Sequence, residues 1–108
     1  MPSENSQAGA VLVVDDASII RVACERALTR AGYRVETAEN GEAGLKAMEK
    51  NPAQVVLCDI RMPGISGVEV LRRLKQKWPG TEVVIMTAYA DQDIAEESIS
   101  LGASEILL

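Results

Sequence analysis

No histidine occurs anywhere in the sequence, so the chain has neither an imidazole base nor an imidazole metal ligand. Phenylalanine is missing as well, and Trp78, Tyr33 and Tyr89 are the only aromatic residues, which leaves Val, Ile, Leu, Ala and Met to build a core. Cysteine is nearly absent. Cys24 and Cys58 lie in apolar patterns without metal-ligand spacing and read as small buried thiols of a reducing compartment. No apolar run reaches the roughly 20 residues that span a bilayer, and Met1 to Ala10 lacks the charged-then-apolar pattern of a secretory signal. A cytoplasmic address with no membrane partner is the expectation. Positive charge is in deficit, 11 Lys and Arg against 16 Asp and Glu for a net charge of -5, which argues against direct nucleic-acid binding. The short basic run Arg72, Arg73, Lys75 and Lys77 reads instead as the solvated face of a helix.

What is present suits one α/β domain, and 108 residues can bury a core without disulfides. Residues 1–9 are small and polar, and read as a flexible leader. Val11 to Val14 is a continuous apolar run closed by Asp15 and Asp16, and Val55 to Cys58 is another, closed by Asp59. Such runs read as strands buried on both faces. Glu82 to Thr87 and Ile106 to Leu108 read as further strands, while Tyr33 to Thr37 alternates and so predicts a half-exposed edge strand.

Helical spacing fills the intervals. Ile20, Ala23, Cys24, Ala27, Leu28 and Ala31 predict a helix over Ser18 to Ala31, facing inward with that stripe and stopped by Gly32. A short helix is expected over Ala43 to Lys50, weakened by Gly44. Ser66 with Glu69 forms a capping-box pattern opening a third helix that turns Val70, Leu71 and Leu74 inward, with Trp78-Pro79-Gly80 as its stop. Asp91 is the expected N-cap of a fourth, running to Ser100 with Ile94, Ala95, Ile99 and Leu101 inward. Strictly alternating strands and helices imply a parallel sheet with right-handed crossovers. With the second strand at an edge, the order is the flavodoxin-like 2-1-3-4-5, with helices on both faces.

That order brings Asp15, Asp16 and Asp59 together at the carboxyl ends of strands one and three, where ligands gather in open α/β sheets. Taken singly, Asp15 and Asp16 could cap the first helix, and Asp59 could be a solvated strand end. Taken together they are costly: two carboxylates about 5 Å apart repel by roughly 3 kcal/mol at an effective dielectric near 20. A proton or a divalent cation must offset that, and an all-oxygen site suits Mg²⁺ or Mn²⁺. Once neutralised, one carboxylate can attack phosphorus.

The stretches V-L-V-V-D-D (Val11 to Asp16), D-I-R-M-P-G-I-S-G (Asp59 to Gly67), I-M-T-A-Y (Ile85 to Tyr89) and L-G-A-S-E-I-L (Leu101 to Leu107) resemble, in order, the motifs of the response-regulator receiver domain of two-component signalling. The resemblance implies a phosphoacceptor signalling domain, not an enzyme with an external substrate, although one that assists its own phosphorylation and dephosphorylation. By it, Asp59 accepts a phosphoryl group from a sensor histidine kinase or phosphotransfer protein. Asp16, Asp59 and the backbone carbonyl of Arg61 ligate Mg²⁺ or Mn²⁺, and Asp15 acts mainly through water. Thr87 turns its hydroxyl to the phosphoryl oxygen, Ala88 leaves that group accessible, and Pro63 and Gly64 shape the loop. Residues 10–108 then form a receiver domain truncated after its fifth strand, with the last family helix, the family's lysine and an effector domain expected beyond Leu108. An apolar face left by that helix gives a possible homodimer. Ile106 stands where the family usually has an aromatic switch residue.

Competing readings are a degenerate receiver that serves only as a protein-interaction surface, and a haloacid-dehalogenase-type phosphohydrolase. The latter wants a second Asp two residues after its nucleophile, where this chain has Arg61. A flavin or dinucleotide module is disfavoured because Asp15-Asp16 would repel a phosphate and no G-x-G-x-x-G occurs.

Overall fold

The apolar runs of the sequence and its alternating edge segment form five parallel strands in the computed structural model, which describes residues 9–87 and 92–107. They are β1 (Ala10–Val14), β2 (Arg34–Ala38), β3 (Val55–Asp59), β4 (Glu82–Met86) and β5 (Glu105–Leu107), alternating with α1 (Ser18–Arg30), α2 (Gly41–Lys50), α3 (Gly67–Lys77) and α4 (Gln92–Ser100). Their order is β2-β1-β3-β4-β5, as expected. Register sets Val14 beside Cys58 and Asp59 beside Met86, so the residues just past β1, β3 and β4 share one end of the sheet.

The two faces of the sheet are covered unequally. Leu12, Val14, Val56, Cys58, Val83 and Ile85 form one face and are buried with Met48, Val70, Leu71 and Leu74 of α2 and α3. On the other face Val11 and Val13 are buried, but Val55, Leu57, Val84 and Met86 are only half-buried and Leu107 is 47% exposed. The expected inward stripe of α1 is corrected here: no residue of that helix is buried, and Ile20 is 41% exposed. Its half-buried residues are Arg21, Cys24 and Leu28: Cys24 and Leu28 belong to the expected stripe, whereas Ile20, Ala23, Ala27 and Ala31 are exposed and Arg21 turns inward instead. A single helix packed over β1 and β2 touches the sheet along a narrow line, so the flanks of its apolar arc stay wet.

Smaller shifts have local causes. The helix expected from Ala43 starts two residues earlier, because the Asn40 side chain accepts from the Ala43 N–H at 2.8 Å and so caps Gly41 onward. Ser66 caps α3 by accepting from Glu69 N–H at 3.3 Å, but Glu69 turns its carboxylate to Arg72 and Arg73 instead of completing the box. The basic run is thus partly spent: Lys77 pairs with Glu49 of α2, and Lys75 is half-buried, donating to the Pro79 and Thr81 carbonyls. In α4, Ile99 was expected inside but is 55% exposed, and its neighbour Ser98 is fully buried instead. Asp91, the expected cap of α4, lies outside the described residues.

Gly44 is more than a weak point in α2. A Cβ at that position would stand 2.8 Å from Val14 Cγ2, so the glycine lets α2 lie close on β1 next to the residue that precedes Asp15. Gly44→Ala is expected to destabilise the domain by about 1 kcal/mol net, since overpacking typically costs ~1 to 3 kcal/mol and helix propensity returns about 1. Thermal and urea melts against wild type check it.

Candidate functional site

Asp15 follows β1 directly and extends its pairing, donating its N–H to the Ala38 carbonyl at 3.1 Å. The residue is 4% exposed. Its Oδ1 accepts from the Ala17 N–H at 2.9 Å, and its carbonyl accepts from Arg21 Nη1 at 2.7 Å. Asp16 is exposed. Ala17 is the N-cap of α1, with no side-chain cap bond, so neither aspartate caps that helix in the ordinary sense.

Asp59 closes β3, half-buried, and the chain continues the β3–β4 ladder by one bond, from Ile60 N–H to the Met86 carbonyl at 3.2 Å. Gly67 N–H then donates to the Ile60 carbonyl at 2.9 Å, which folds the intervening loop back on the strand end. A Cβ on Gly67 would lie 2.1 Å from the Asp59 carbonyl oxygen, so only glycine fits there. Gly64 turns the loop at φ 84°, a left-handed conformation that glycine adopts without a steric penalty. Arg61 is exposed at the start of that loop, and its N–H reaches Asp59 Oδ1 at 3.4 Å. Thr87 follows β4, buried, with its N–H on the Leu107 carbonyl at 2.9 Å. Ala88 and Tyr89 lie outside the described residues.

Asp15, Asp16 and Asp59 each bring a carboxylate oxygen within 4.8 Å of the others. Burial pushes the Asp59 carboxyl up from its ordinary value, and the charge of Asp15 and then of Asp16 push it further, against N–H donation from Arg61 and Ile60. The Cys58 thiol, one residue before, is pushed up to about 12, by burial first and then by the charges of Asp59 and Asp15. It stays protonated and unreactive at neutral pH. Ile20, Met86 and Leu107 form an apolar rim around a cleft whose polar wall is the three aspartates and Thr87. An all-oxygen donor set bearing three negative charges suits a hard divalent cation such as Mg²⁺ or Mn²⁺.

Residues 11–108 match the family model of the response regulator receiver domain. The chain belongs to that family. The DNA-binding transcriptional regulator NtrC of Escherichia coli K12 is 46% identical over 101 residues, which are 94% of this chain but only 22% of NtrC. The sporulation initiation phosphotransferase F of Bacillus subtilis is 38% identical over 93 residues, 86% of this chain and 75% of that protein. Among solved structures, the response regulator TrrA of Thermotoga maritima, in complex with Mg²⁺ and BeF, superposes with a TM-score of 0.83 at 36% identity, covering 92% of this chain and 84% of that one. This receiver domain is a phosphoacceptor module of two-component signalling, and a haloacid-dehalogenase-type hydrolase is not favoured. No helix among the described residues is long and apolar enough to cross a membrane.

Two residues that build the site escaped the sequence reading. Gly67 was visible only as the last letter of a motif, since nothing local says that a strand end will pass 2.1 Å from its missing Cβ. Arg21 left a signal: it is a cation on the same helical line as Cys24 and Leu28, where an apolar residue would be routine.

Proposed function

We propose that this receiver domain takes a phosphoryl group onto Asp59 from a phosphohistidine of a sensor histidine kinase or a phosphotransfer protein. The observation that carries the reading is the convergence of three carboxylates within 4.8 Å at the carboxyl ends of β1 and β3. An Asp59 carboxylate oxygen forms the new bond to phosphorus while the phosphorus–nitrogen bond breaks and its electron pair stays on the donor imidazole. Asp16, Asp59 and the backbone carbonyl of Arg61 are the proposed ligands of Mg²⁺ or Mn²⁺, with Asp15 acting through water. Such a cation supplies charge neutralisation for the phosphoryl oxygens. Thr87 offers its hydroxyl to a phosphoryl oxygen and Ala88 leaves that group open to attack, including the water that returns the domain to its resting state. The Thermotoga maritima relative, bound to Mg²⁺ and BeF, supports a site of this composition.

Phosphorylation adds charge and acceptor oxygens next to Thr87, so the segment after it and α4 are the elements proposed to shift. Residues 10–108 are proposed to be the receiver of a longer cytoplasmic regulator with an effector domain beyond Leu108, as the 22% coverage of NtrC suggests. A homodimer is supported by exposed Ile19, Ile20, Val22 and Leu107.

The test is intact mass after incubation with acetyl phosphate, with and without Mg²⁺, for wild type and Asp16→Ala. Wild type is expected to gain one phosphoryl group only with the cation. Asp16→Ala should label at least roughly tenfold more slowly and lose the Mg²⁺-dependent rise in melting temperature, while its cation-free fold is unharmed, because one of three mutually repelling charges is gone. A wild type that labels with no divalent cation present would refute the metal assignment. One that never labels would leave a protein-interaction surface as the function.

A further inference from the structure

We infer that Arg21 is a positioning residue of the phosphoacceptor site, holding the β1–α1 turn in the shape that lets Asp15 and Asp16 receive a cation; this deepens the proposed function and rests on it. Arg21 is half-buried, and its Nη1 donates to the Asp15 carbonyl at 2.7 Å. Among the described residues it makes the one side-chain hydrogen bond from α1 to the rest of the domain. Apart from half-buried Cys24 and Leu28 against β1 and β2, few contacts fix that helix. Its N-cap, Ala17, offers no side-chain cap, its first turn has no acidic residue, and none of its residues is buried. The turn it must hold is short: Asp15 N–H is tied to β2 through the Ala38 carbonyl, Asp15 Oδ1 accepts from Ala17 N–H, and Asp16 stands exposed between them.

The Arg21 bond closes the remaining corner of this turn. Asp15 presents its N–H to β2, its carboxylate to the Ala17 N–H and its carbonyl to α1, so all three of its polar groups are engaged before any cation arrives. Without the guanidinium, the Asp15 carbonyl has no tie to α1 and the Asp15–Asp16 peptide is free to rotate. Asp16 has no burial of its own to keep its carboxylate within 4.8 Å of Asp59. Charge-assisted donation to the carbonyl is the kind of bond able to hold it. A guanidinium on the turn that carries Asp15 and Asp16 has a rival role, as a resident counter-charge that competes with the cation. The two roles predict opposite signs, which makes the inference testable.

Two measurements decide it, each on wild type, Arg21→Met, Arg21→Lys and Leu28→Ala, the last loosening α1 on the same line but away from the site. The first is amide exchange at Ala17 without divalent cation, at a temperature where every variant is folded. Arg21→Met is expected to lose roughly tenfold in protection there, Arg21→Lys to keep most of it, and Leu28→Ala to match wild type locally while melting lower. The second is Mg²⁺ affinity by titration calorimetry. Arg21→Met should bind roughly tenfold more weakly, with Arg21→Lys restored toward wild type. Unchanged Ala17 protection in Arg21→Met overturns the inference, and tighter Mg²⁺ binding overturns it in favour of the counter-charge role. A wild type that binds no Mg²⁺ overturns the proposed function instead, and the cation-free exchange measurement still decides the role of Arg21.

Discussion

Asp59→Asn is expected to take up no phosphoryl group from acetyl phosphate with Mg²⁺ present, under conditions that label wild type, and yet to melt at a higher temperature than wild type when no cation is added. Loss of labelling follows from removing the proposed nucleophile, since an amide oxygen is a far poorer one. The gain in stability follows from the site's electrostatics. Its carboxyl is held above its ordinary value of 3.8 by burial and by Asp15 and Asp16, so the folded state binds that proton more tightly than the unfolded chain does. A group with a raised folded-state pKa contributes stability that is fully present below its unfolded pKa and lost as pH rises through the folded one. Wild type therefore lacks that contribution at pH 7, whereas asparagine carries no charge to repel at any pH. The advantage of Asp59→Asn should be of order 1 kcal/mol after solvent screening, and should shrink as pH falls through the raised pKa toward 3.8. Intact mass gives the first result and melts from pH 7 to pH 3 the second. Equal labelling of both proteins would reject Asp59 as the acceptor, and a gap in melting temperature that widens toward low pH would reject the electrostatic account.

Gly67→Ala is expected to be the most damaging single-methyl change near the site. Its Cβ would sit 2.1 Å from the Asp59 carbonyl oxygen and 2.8 Å from both the Asp59 carbonyl carbon and Ile60 Cα, all of them backbone. A side chain can swing away from such a contact, but the end of β3 and the start of α3 cannot without breaking the Gly67 to Ile60 hydrogen bond. Overpacking against backbone belongs at the upper end of the usual range, about 3 kcal/mol, which is roughly a 10 to 20 °C fall in melting temperature for a domain of this size. Because the relief must come from the strand end that carries Asp59, labelling should slow as well, measured at a temperature where the variant is folded. Gly64→Ala is the companion measurement. That glycine has φ 84° but no backbone neighbour in the way, so it should cost only about 1 to 2 kcal/mol. If the two cost the same, backbone conformation outweighs the close approach.

The sequence by itself determined the element order, the parallel sheet and the end of it at which the aspartates meet. Each of these rests on local pattern: apolar runs closed by Asp15-Asp16 and Asp59, helical spacing between them, and the alternation that sends β2 to the edge. Ser66 and Gly32 marked helix ends for the same reason, because caps act over three or four residues. Tertiary structure decided the rest. Ile20 and Ile99 have the spacing of core residues but stay exposed, since spacing gives a direction around a helix and not the extent of whatever lies opposite. Gly44 reads as a flaw until Val14 is placed 2.8 Å from its absent Cβ, and Gly67 acquires its role only when the β3 carbonyl passes beside it. The pairing of Arg21 with the Asp15 carbonyl is likewise invisible in the chain, because a backbone acceptor carries no sequence signature and only the fold determines which side chain can reach it.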